Sequence, residues 1–291
     1  MKIAIIGSKF SEQYTKYIKH LLNKLKESDI EIIIHEEFHE FIKEFIPWAE
    51  EIKTFSVLTN DDDVRYLLSI GGDGTLLKSV TYVKDTNIPI MGINTGRLGF
   101  ISSISTDQID VVINNLLKGE YRIRKRTVLK METDNNLFGN ANFALNEVAI
   151  VKKDTSSMIR IDAFLDEEFL NSYWADGLLI STPTGSTGYS LSCGGPIILP
   201  ETGNILIAPI APHNLNVRPI IINENSIIKL KVKDRDELAL VSLDSRSRAF
   251  NSSLEITIKK ENFKINLIEP KDHSFITTIR TKLMWGSDKR N

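Results

Sequence analysis

The 291-residue chain is 42% hydrophobic, 25% charged and 8% aromatic, the make-up of a folded globular protein long enough for one large domain or two ordinary ones. Its 36 basic and 38 acidic side chains leave a formal charge of −2, which argues against a dedicated nucleic-acid or anionic-membrane binder. The one cysteine, Cys193, excludes an internal disulfide framework and any multi-cysteine zinc or iron–sulfur site.

Met1–Gly7 has too short an apolar patch for a signal peptide and holds a first strand, Lys2–Ile6, apolar on both faces. No run reaches the roughly 18 apolar residues of a membrane helix, so a cytoplasmic protein is expected. Tyr14, Tyr17, Ile18, Leu21, Leu22 and Leu25 recur at three- and four-residue spacing, which predicts an amphipathic helix. Ile30–Ile34 and Tyr66–Ile70 predict two more strands, the second running into Gly71-Gly72. Leu76, Leu77, Val80 and Val83 form a helical stripe, and Ile88–Ile93 is a strand closed by Asn94, Gly96 and Gly99. The alternation implies an α/β domain with a Rossmann-like parallel sheet.

From about residue 120 the pattern changes. Met131–Glu132, Phe143–Val151, Met158–Leu165, Gly177–Ser181, Asn204–Ala208, Pro219–Ile222, Ser226–Val232, Leu238–Leu243 and Leu254–Lys259 read as β-branched strands between Asn, Asp, Gly or Pro turns. A largely antiparallel β-rich domain is the simplest account. Phe275, Ile276, Ile279, Leu283 and Met284 predict a C-terminal helix ahead of a charged tail. The expected organisation is an α/β nucleotide-binding domain over 1–110, a β-rich domain over 111–268, and a helix and tail over 269–291 packing back on the first domain. The helix at Gln108–Leu117 fits either side of the boundary.

The strongest chemical signal is Gly71-Gly72-Asp73-Gly74-Thr75, between a strand and a helix. Its glycines let main-chain N–H groups approach phosphate oxygens, and the helix aims its positive end at the same place. A carboxylate repels phosphate, so Asp73 needs a separate reason. A general base at the attacking hydroxyl of a phosphoryl transfer supplies one; the competing reading is a plain turn with Asp73 as a helix cap. The spacing fits neither G-x-x-x-x-G-K-[ST] nor G-x-G-x-x-G. In Asp176–Ser190, hydroxyl side chains and glycines crowd between Ile180 and Tyr189, offering a polar ligand several partners. Asn146-Glu147 on its own reads as a turn into the strand Val148–Val151.

Other patterns carry less. His35-Glu36-Glu37-Phe38-His39 fits the zinc-protease H-E-x-x-H, but that chemistry needs both histidines on one face of a helix, and Ile32-Ile33-Ile34 puts the motif at a strand end. Arg122, Arg124, Lys125, Arg126 and Lys130 read as a solvated strand face at the start of the β domain. Ser186 is not spaced as G-x-S-x-G. Cys193 reads as a small buried residue rather than a nucleophile.

Gly71–Thr75 resembles the motif that NAD kinases share with diacylglycerol and sphingosine kinases and, in related form, with phosphofructokinases. The rest of the chain narrows this resemblance to NAD kinases. Asn94-Thr95-Gly96-Arg97-Leu98-Gly99-Phe100 is similar to their N-x-G-x-L-G-F segment, Leu145-Asn146-Glu147 to their L-N-E motif, and Asp176–Ser190 to their long Gly/Thr-rich motif. Pro212-His213 with Arg218-Pro219, and Leu283–Gly286, match further segments in family order. The resemblance implies transfer of the γ-phosphoryl group of ATP to the 2′-hydroxyl of the adenosine ribose of NAD, with Asp73 taking the proton. Gly71, Gly72, Gly74 and Thr75 would position phosphates. Asn146 and Glu147 would hold the ribose hydroxyls. Asp176, Thr184, Thr187, Gly188, Tyr189, Ser190 and Ser192 would line an NAD pocket between the domains, with Ala211 at its wall and Lys78 and Ser157 as further contacts. The resemblance also implies a divalent cation, Mg²⁺, arriving with ATP rather than held by dedicated ligands, and a homodimer or homotetramer. Two alternatives remain open: a lipid kinase of the same superfamily, and a non-catalytic dinucleotide sensor.

Overall fold

Strands that are apolar on both faces pair best inside a covered parallel sheet, and the first part of the chain does this. The computed structural model describes residues 1–96, 99–153, 158–233 and 238–285. β1 (Lys2–Gly7), β2 (Glu31–His35), β3 (Lys53–Phe55), β4 (Val64–Ile70), β5 (Ile90–Asn94) and β6 (Ile104–Ser105) pair in parallel in the order β3-β2-β1-β4-β5, with β6 beside β5. Four helices follow these strands: α1 (Thr15–Glu27), α2 (Glu36–Ile42), α3 (Asp73–Val83) and α4 (Ile109–Lys118). Ile18, Leu21, Leu22 and Leu25 of α1 and Ile109, Val112, Ile113 and Leu116 of α4 share one core with Ile3, Ile5, Leu68, Ile70, Met91 and Ile93. β7 (Tyr121–Arg126) closes this stretch.

Twelve strands follow: β8 (Leu129–Glu132), β9 (Phe143–Ala144), β10 (Glu147–Lys152), β11 (Ile159–Leu165), β12 (Glu168–Ala175), β13 (Gly177–Ser181), β14 (Asn204–Ile210), β15 (Ile220–Asn223), β16 (Ile228–Lys233), β17 (Leu238–Leu243), β18 (Arg246–Asn251) and β19 (Glu255–Lys260), with the short helix α5 (Tyr189–Ser192) between β13 and β14. They make two six-stranded sheets, β15-β14-β13-β10-β17-β18 and β12-β11-β16-β19-β8-β9. Period-two alternation decides which side chains meet. Val148, Ile150, Leu178, Ile180, Val241 and Leu243 of the first sheet share a core with Ile159, Ile161, Leu230, Ile256 and Ile258 of the second. The opposite face of the first sheet, through Ala149, Leu179, Leu206 and Ala208, packs against Ile198 and half-buried Cys193. β13 is thus buried on both faces. The chain then returns to the parallel sheet with β20 (Ile265–Pro270), placed between β5 and β7, and ends its described part with α6 (Phe275–Leu283) and two further residues.

Backbone contacts divide the chain into Met1–Lys125 with Ile265 onward, and Arg126–Lys264. α4 falls in the first unit, where its apolar face is buried. So does β7 except for its last residue, Arg126, and its Tyr121 hydroxyl lies 2.8 Å from that of Tyr66. The basic cluster is therefore not one solvated face of the β domain. Arg122, Arg124, Lys125 and Arg126 lie on β7 beside β20, whereas Lys130 lies on β8, and Arg126 is only 8% exposed. Phe143–Val151 is not one strand either: it breaks at Leu145-Asn146, for a reason that belongs to the site.

Candidate active site

In the first unit β4 ends at Ile70 and the chain turns at once into α3, so Gly71–Thr75 lies where β1 and β4 end. β2 lies on one side of β1 and β4 on the other, and in open α/β sheets such a reversal opens a crevice beyond the carboxyl ends of the strands. The Ser8 N–H donates to the Ile70 carbonyl at 3.0 Å and the Gly71 N–H to the Ile93 carbonyl at 2.9 Å, which fixes the turn to both neighbouring strand ends. Gly71 has φ +151°, and a Cβ there would stand 2.2 Å from Thr75 Oγ1. At Gly72 and Gly74 a Cβ would meet nothing within 4 Å. Those two positions leave open space beside the first N–H groups of α3.

Asp73 is tied down rather than free. Its Oδ2 accepts the Phe100 N–H at 2.8 Å, and its Oδ1 accepts those of Ile101 at 3.2 Å and Ser102 at 2.8 Å. Gly99 presses so close that a Cβ would lie 1.8 Å from Oδ1. Asn94 holds the same segment, donating from Nδ2 to the Ser102 carbonyl at 3.2 Å and accepting the Gly96 N–H at 2.7 Å. The Asn94–Phe100 motif is thus folded back over the glycine loop; Arg97 and Leu98 lie outside the described residues. The cap reading fails, because the N-cap of α3 is Gly72 and Asp73 makes no capping bond to the helix.

Lys78, farther along α3, pairs with Glu37 Oε2 at 2.5 Å and holds that carboxyl below its usual range. His35 ends β2 and packs edge-on to Tyr82 and Phe55, with burial first and Lys78 second lowering its pKa. His39 lies in α2, its Nε2 3.0 Å from the Ala49 carbonyl. The two histidines therefore stand on different elements.

In the second unit, the break between β9 and β10 is made by Asp244, in the turn between β17 and β18. Asp244 Oδ2 accepts the Leu145 N–H at 3.0 Å, and Oδ1 accepts those of Asn146 at 2.8 Å and Glu147 at 3.2 Å. The Arg246 guanidinium donates to the carbonyls of Ala141 and Phe143. Burial raises the Asp244 carboxyl above its ordinary value against the pull of the three N–H groups, and burial lowers Arg246. On the other side Thr182 Oγ1 donates to the Leu145 carbonyl at 2.6 Å and the Thr182 N–H to that of Asn146 at 2.9 Å. The side chains are in the opposite condition. Asn146 and Glu147 are each 9% exposed, yet Asn146 Oδ1 and Glu147 Oε2 have no hydrogen-bond partner among the described residues. Burial, with the Asp244 charge second, pushes Glu147 up to about 8.

The Asp176–Ser190 segment wraps this pair. A Cβ on Gly188 would lie 3.4 Å from Glu147 Oε2 and 3.5 Å from Asn146 Nδ2. Ser186 Oγ donates to the Pro183 carbonyl at 2.7 Å and accepts the Ile198 N–H at 3.0 Å; Thr187 Oγ1 donates to the Thr184 carbonyl at 3.3 Å. Asp176 Oδ1 pairs with Lys152 Nζ at 2.6 Å, and its N–H donates to the Ile210 carbonyl, which sets Asp176 beside Ala211 at φ +45°. The Tyr189 phenol is raised by burial and then by Cys193, Asp176 and Glu147, so these groups share its surroundings. Thr184 and Ser190 are buried, the Ser190 hydroxyl without a partner among the described residues, and Ser192 lies exposed at the end of α5. Ser157 lies outside the described residues. Cys193 is half-buried, its thiol raised by burial and then by Glu147. Among the described residues no three His, Cys, Asp or Glu side chains gather where a metal ion could be held.

Residues 3–121 match the family profile of the ATP-NAD kinase N-terminal domain, and residues 145–269 that of the ATP-NAD kinase C-terminal domain. The NAD kinase of Cytophaga hutchinsonii is 46% identical over 297 residues, and that of Christiangramia forsetii 46% over 294, each covering 100% of both chains. The chain belongs to the NAD kinase family. Its fold is that of two solved family structures at 23% identity: the yeast NADH kinase complexed with NADH, with a TM-score of 0.86 over 99% of this chain and 89% of that one, and the Archaeoglobus fulgidus NAD kinase in complex with ATP, with 0.74 over 98% and 99%. Sequence reading misses Asp244 and Arg246, and meets Thr182 only as one hydroxyl among those of the Asp176–Ser190 segment. Asp244 follows the Leu238–Leu243 strand with no motif to mark it, and the carboxylate's three partners lie about a hundred positions away.

Proposed function

We propose that the chain transfers the γ-phosphoryl group of ATP to the 2′-hydroxyl of the adenosine ribose of NAD, giving NADP and ADP. The observation that carries this is the pair of buried, unpartnered acceptor oxygens on Asn146 and Glu147. Two hydroxyls of one ribose are two donors with the spacing of neighbours, and burying an acceptor without a partner is costly unless a ligand completes it. Gly188 leaves the approach clear, and Tyr189, Asp176, Thr184, Thr187, Ser190, Ser192 and Ala211 would line the remainder, with Lys78 and Ser157 as outer contacts. Gly71, Gly72, Gly74 and Thr75 would hold phosphates, the open flanks of Gly72 and Gly74 allowing oxygens to reach main-chain N–H groups. A carboxylate has about four lone-pair sites, and three N–H donors leave one, on Oδ2, for the attacking hydroxyl of the ribose. In a loose phosphoryl-transfer transition state the proton leaves late, so a well-positioned weak base suffices. A divalent cation such as Mg²⁺ would come with ATP as part of the substrate and neutralise charge on its phosphates. The working form would be a cytoplasmic homodimer or homotetramer.

The test is NADP formation by the purified protein given NAD, ATP and Mg²⁺, with light scattering for the assembly. A preparation that binds NAD but makes no NADP would mark a sensor, and phosphorylation of a lipid instead of NAD would mark the sister branch of the superfamily.

A further inference from the structure

The turn between β17 and β18 holds a carboxylate where a hairpin does not need one. Asp244 has φ +53°, a conformation that Asn or Gly adopts as readily, and its carboxylate is buried at a cost that neutral residues avoid. What the carboxylate adds is its grip on one short segment. It accepts the N–H groups of Leu145, Asn146 and Glu147, while its own N–H donates to the Glu147 carbonyl at 3.0 Å. Arg246, two residues on, takes the carbonyls of Ala141 and Phe143. Thr182 and Ser181 take those of Leu145 and Asn146. The backbone of 145–147 is thereby tied on both sides, while the side chains of Asn146 and Glu147 keep oxygens with no partner among the described residues. A backbone with its hydrogen bonds satisfied next to side chains without partners is the arrangement expected of a preorganised binding group.

We propose that Asp244 is the positioning residue of the dinucleotide site: it fixes the Asn146-Glu147 turn so that both side chains meet the ribose hydroxyls without a further ordering cost. The inference rests on the reading that this pair binds the ribose of NAD. Asp244→Asn keeps the shape of the side chain but turns an N–H₂ toward either the Leu145 N–H or the other two amides. KM for NAD should rise by about 10- to 100-fold, the range for a lost hydrogen bond to a charged group. The kcat at saturating NAD and KM for ATP should stay within about three-fold.

A residue that merely holds the fold would not act through Glu147, and a double-mutant cycle separates the two cases. In a Glu147→Gln background, Asp244→Asn should raise KM for NAD far less than it does alone. Equal factors in both backgrounds, or parallel rises in KM for NAD and ATP, would overturn the proposal. Amide exchange on the unaltered, ligand-free protein tests the clamp even if the variant fails to fold. The N–H groups of Leu145, Asn146 and Glu147 should exchange as slowly as those within β10, and exchange at the rate of exposed turns would refute it. An unaltered protein that makes no NADP would remove the underlying reading, and the proposal with it, whereas normal turnover with an unchanged KM in Asp244→Asn would remove the proposal alone.

Discussion

Asp73 carries two duties that its residue type alone does not separate. Its carboxylate organises the Gly99–Ser102 segment through three N–H bonds, and the proposed mechanism uses its remaining lone pair. Asp73→Asn therefore disturbs both, since one amide face must point N–H₂ at a backbone N–H. Turnover should fall by roughly 10²–10⁴-fold, the contribution of a positioned base, and stability by about 1–3 kcal/mol from the mismatched donors. Gly99→Ala separates the duties. It leaves the carboxylate chemically intact but drives a Cβ into it, at 1.8 Å before relaxation. If position matters as much as basicity, this variant should lose at least about ten-fold in turnover while its pH–rate profile keeps the parent shape. Parent-like turnover with only a lower melting temperature would confine Asp73 to the base role.

At the scale of elements, one buried hydroxyl ties the segment after β13 to the chain that follows α5. Ser186 is fully buried, bonded to Pro183 and to the N–H of Ile198 twelve residues on, so it closes the loop over the outer face of the sheet. Ser186→Ala leaves the Ile198 N–H without that partner and should cost about 1–3 kcal/mol, read as a lower denaturation midpoint at constant m-value. Much of this layer was legible in the sequence. The Lys2–Ile6, Tyr66–Ile70 and Gly177–Ser181 strands and the α1 stripe showed because burial writes itself as apolar periodicity. Six strands did not show. β3 and β6 are only three and two residues long. β12 carries Asn171 and Ser172 at its centre, β18 is an edge strand with Phe250 as its one buried residue, and β7 alternates Arg with exposed Ile123. β20 is missed although Ile265, Leu267 and Ile268 are buried on it. α2 was hidden by the β-branched run before it. At the site, the motif glycines stood out by themselves, whereas the Asn-Glu pair was marked only by the resemblance to NAD kinases. Asp244 did not, because its role lies in partners distant along the chain.

Glu147 affects the molecule as a whole through its proton. In the folded chain its pKa is raised from 4.5 to about 8, mainly by burial, so between those values the folded state binds a proton that the unfolded state has released. Stability therefore falls as pH rises through that window, by an amount on the order of a few kcal/mol. Carboxyls that are lowered, such as Glu132 beside Lys259 and Lys130 and Glu224 beside Lys260 and Thr127, work in the opposite sense at more acid pH. Urea unfolding at pH 5 and pH 9 should thus show a larger loss in the parent than in Glu147→Gln, which carries no such proton. Identical losses would mean that the carboxyl titrates near its ordinary value.

The first unit is also discontinuous along the chain, because β20 lies between β5 and β7 although the whole second unit separates it from them in sequence. During synthesis, residues 126–264 leave the ribosome and can complete their two sheets while the parallel sheet still lacks a strand. Until Ile265–Pro270 emerges, β5 and β7 each present unpaired N–H and C=O groups along the side that β20 will fill, the exposure through which strands pair with foreign chains. The order of folding then runs against the order of translation: the unit that begins at residue 1 is the last to be finished.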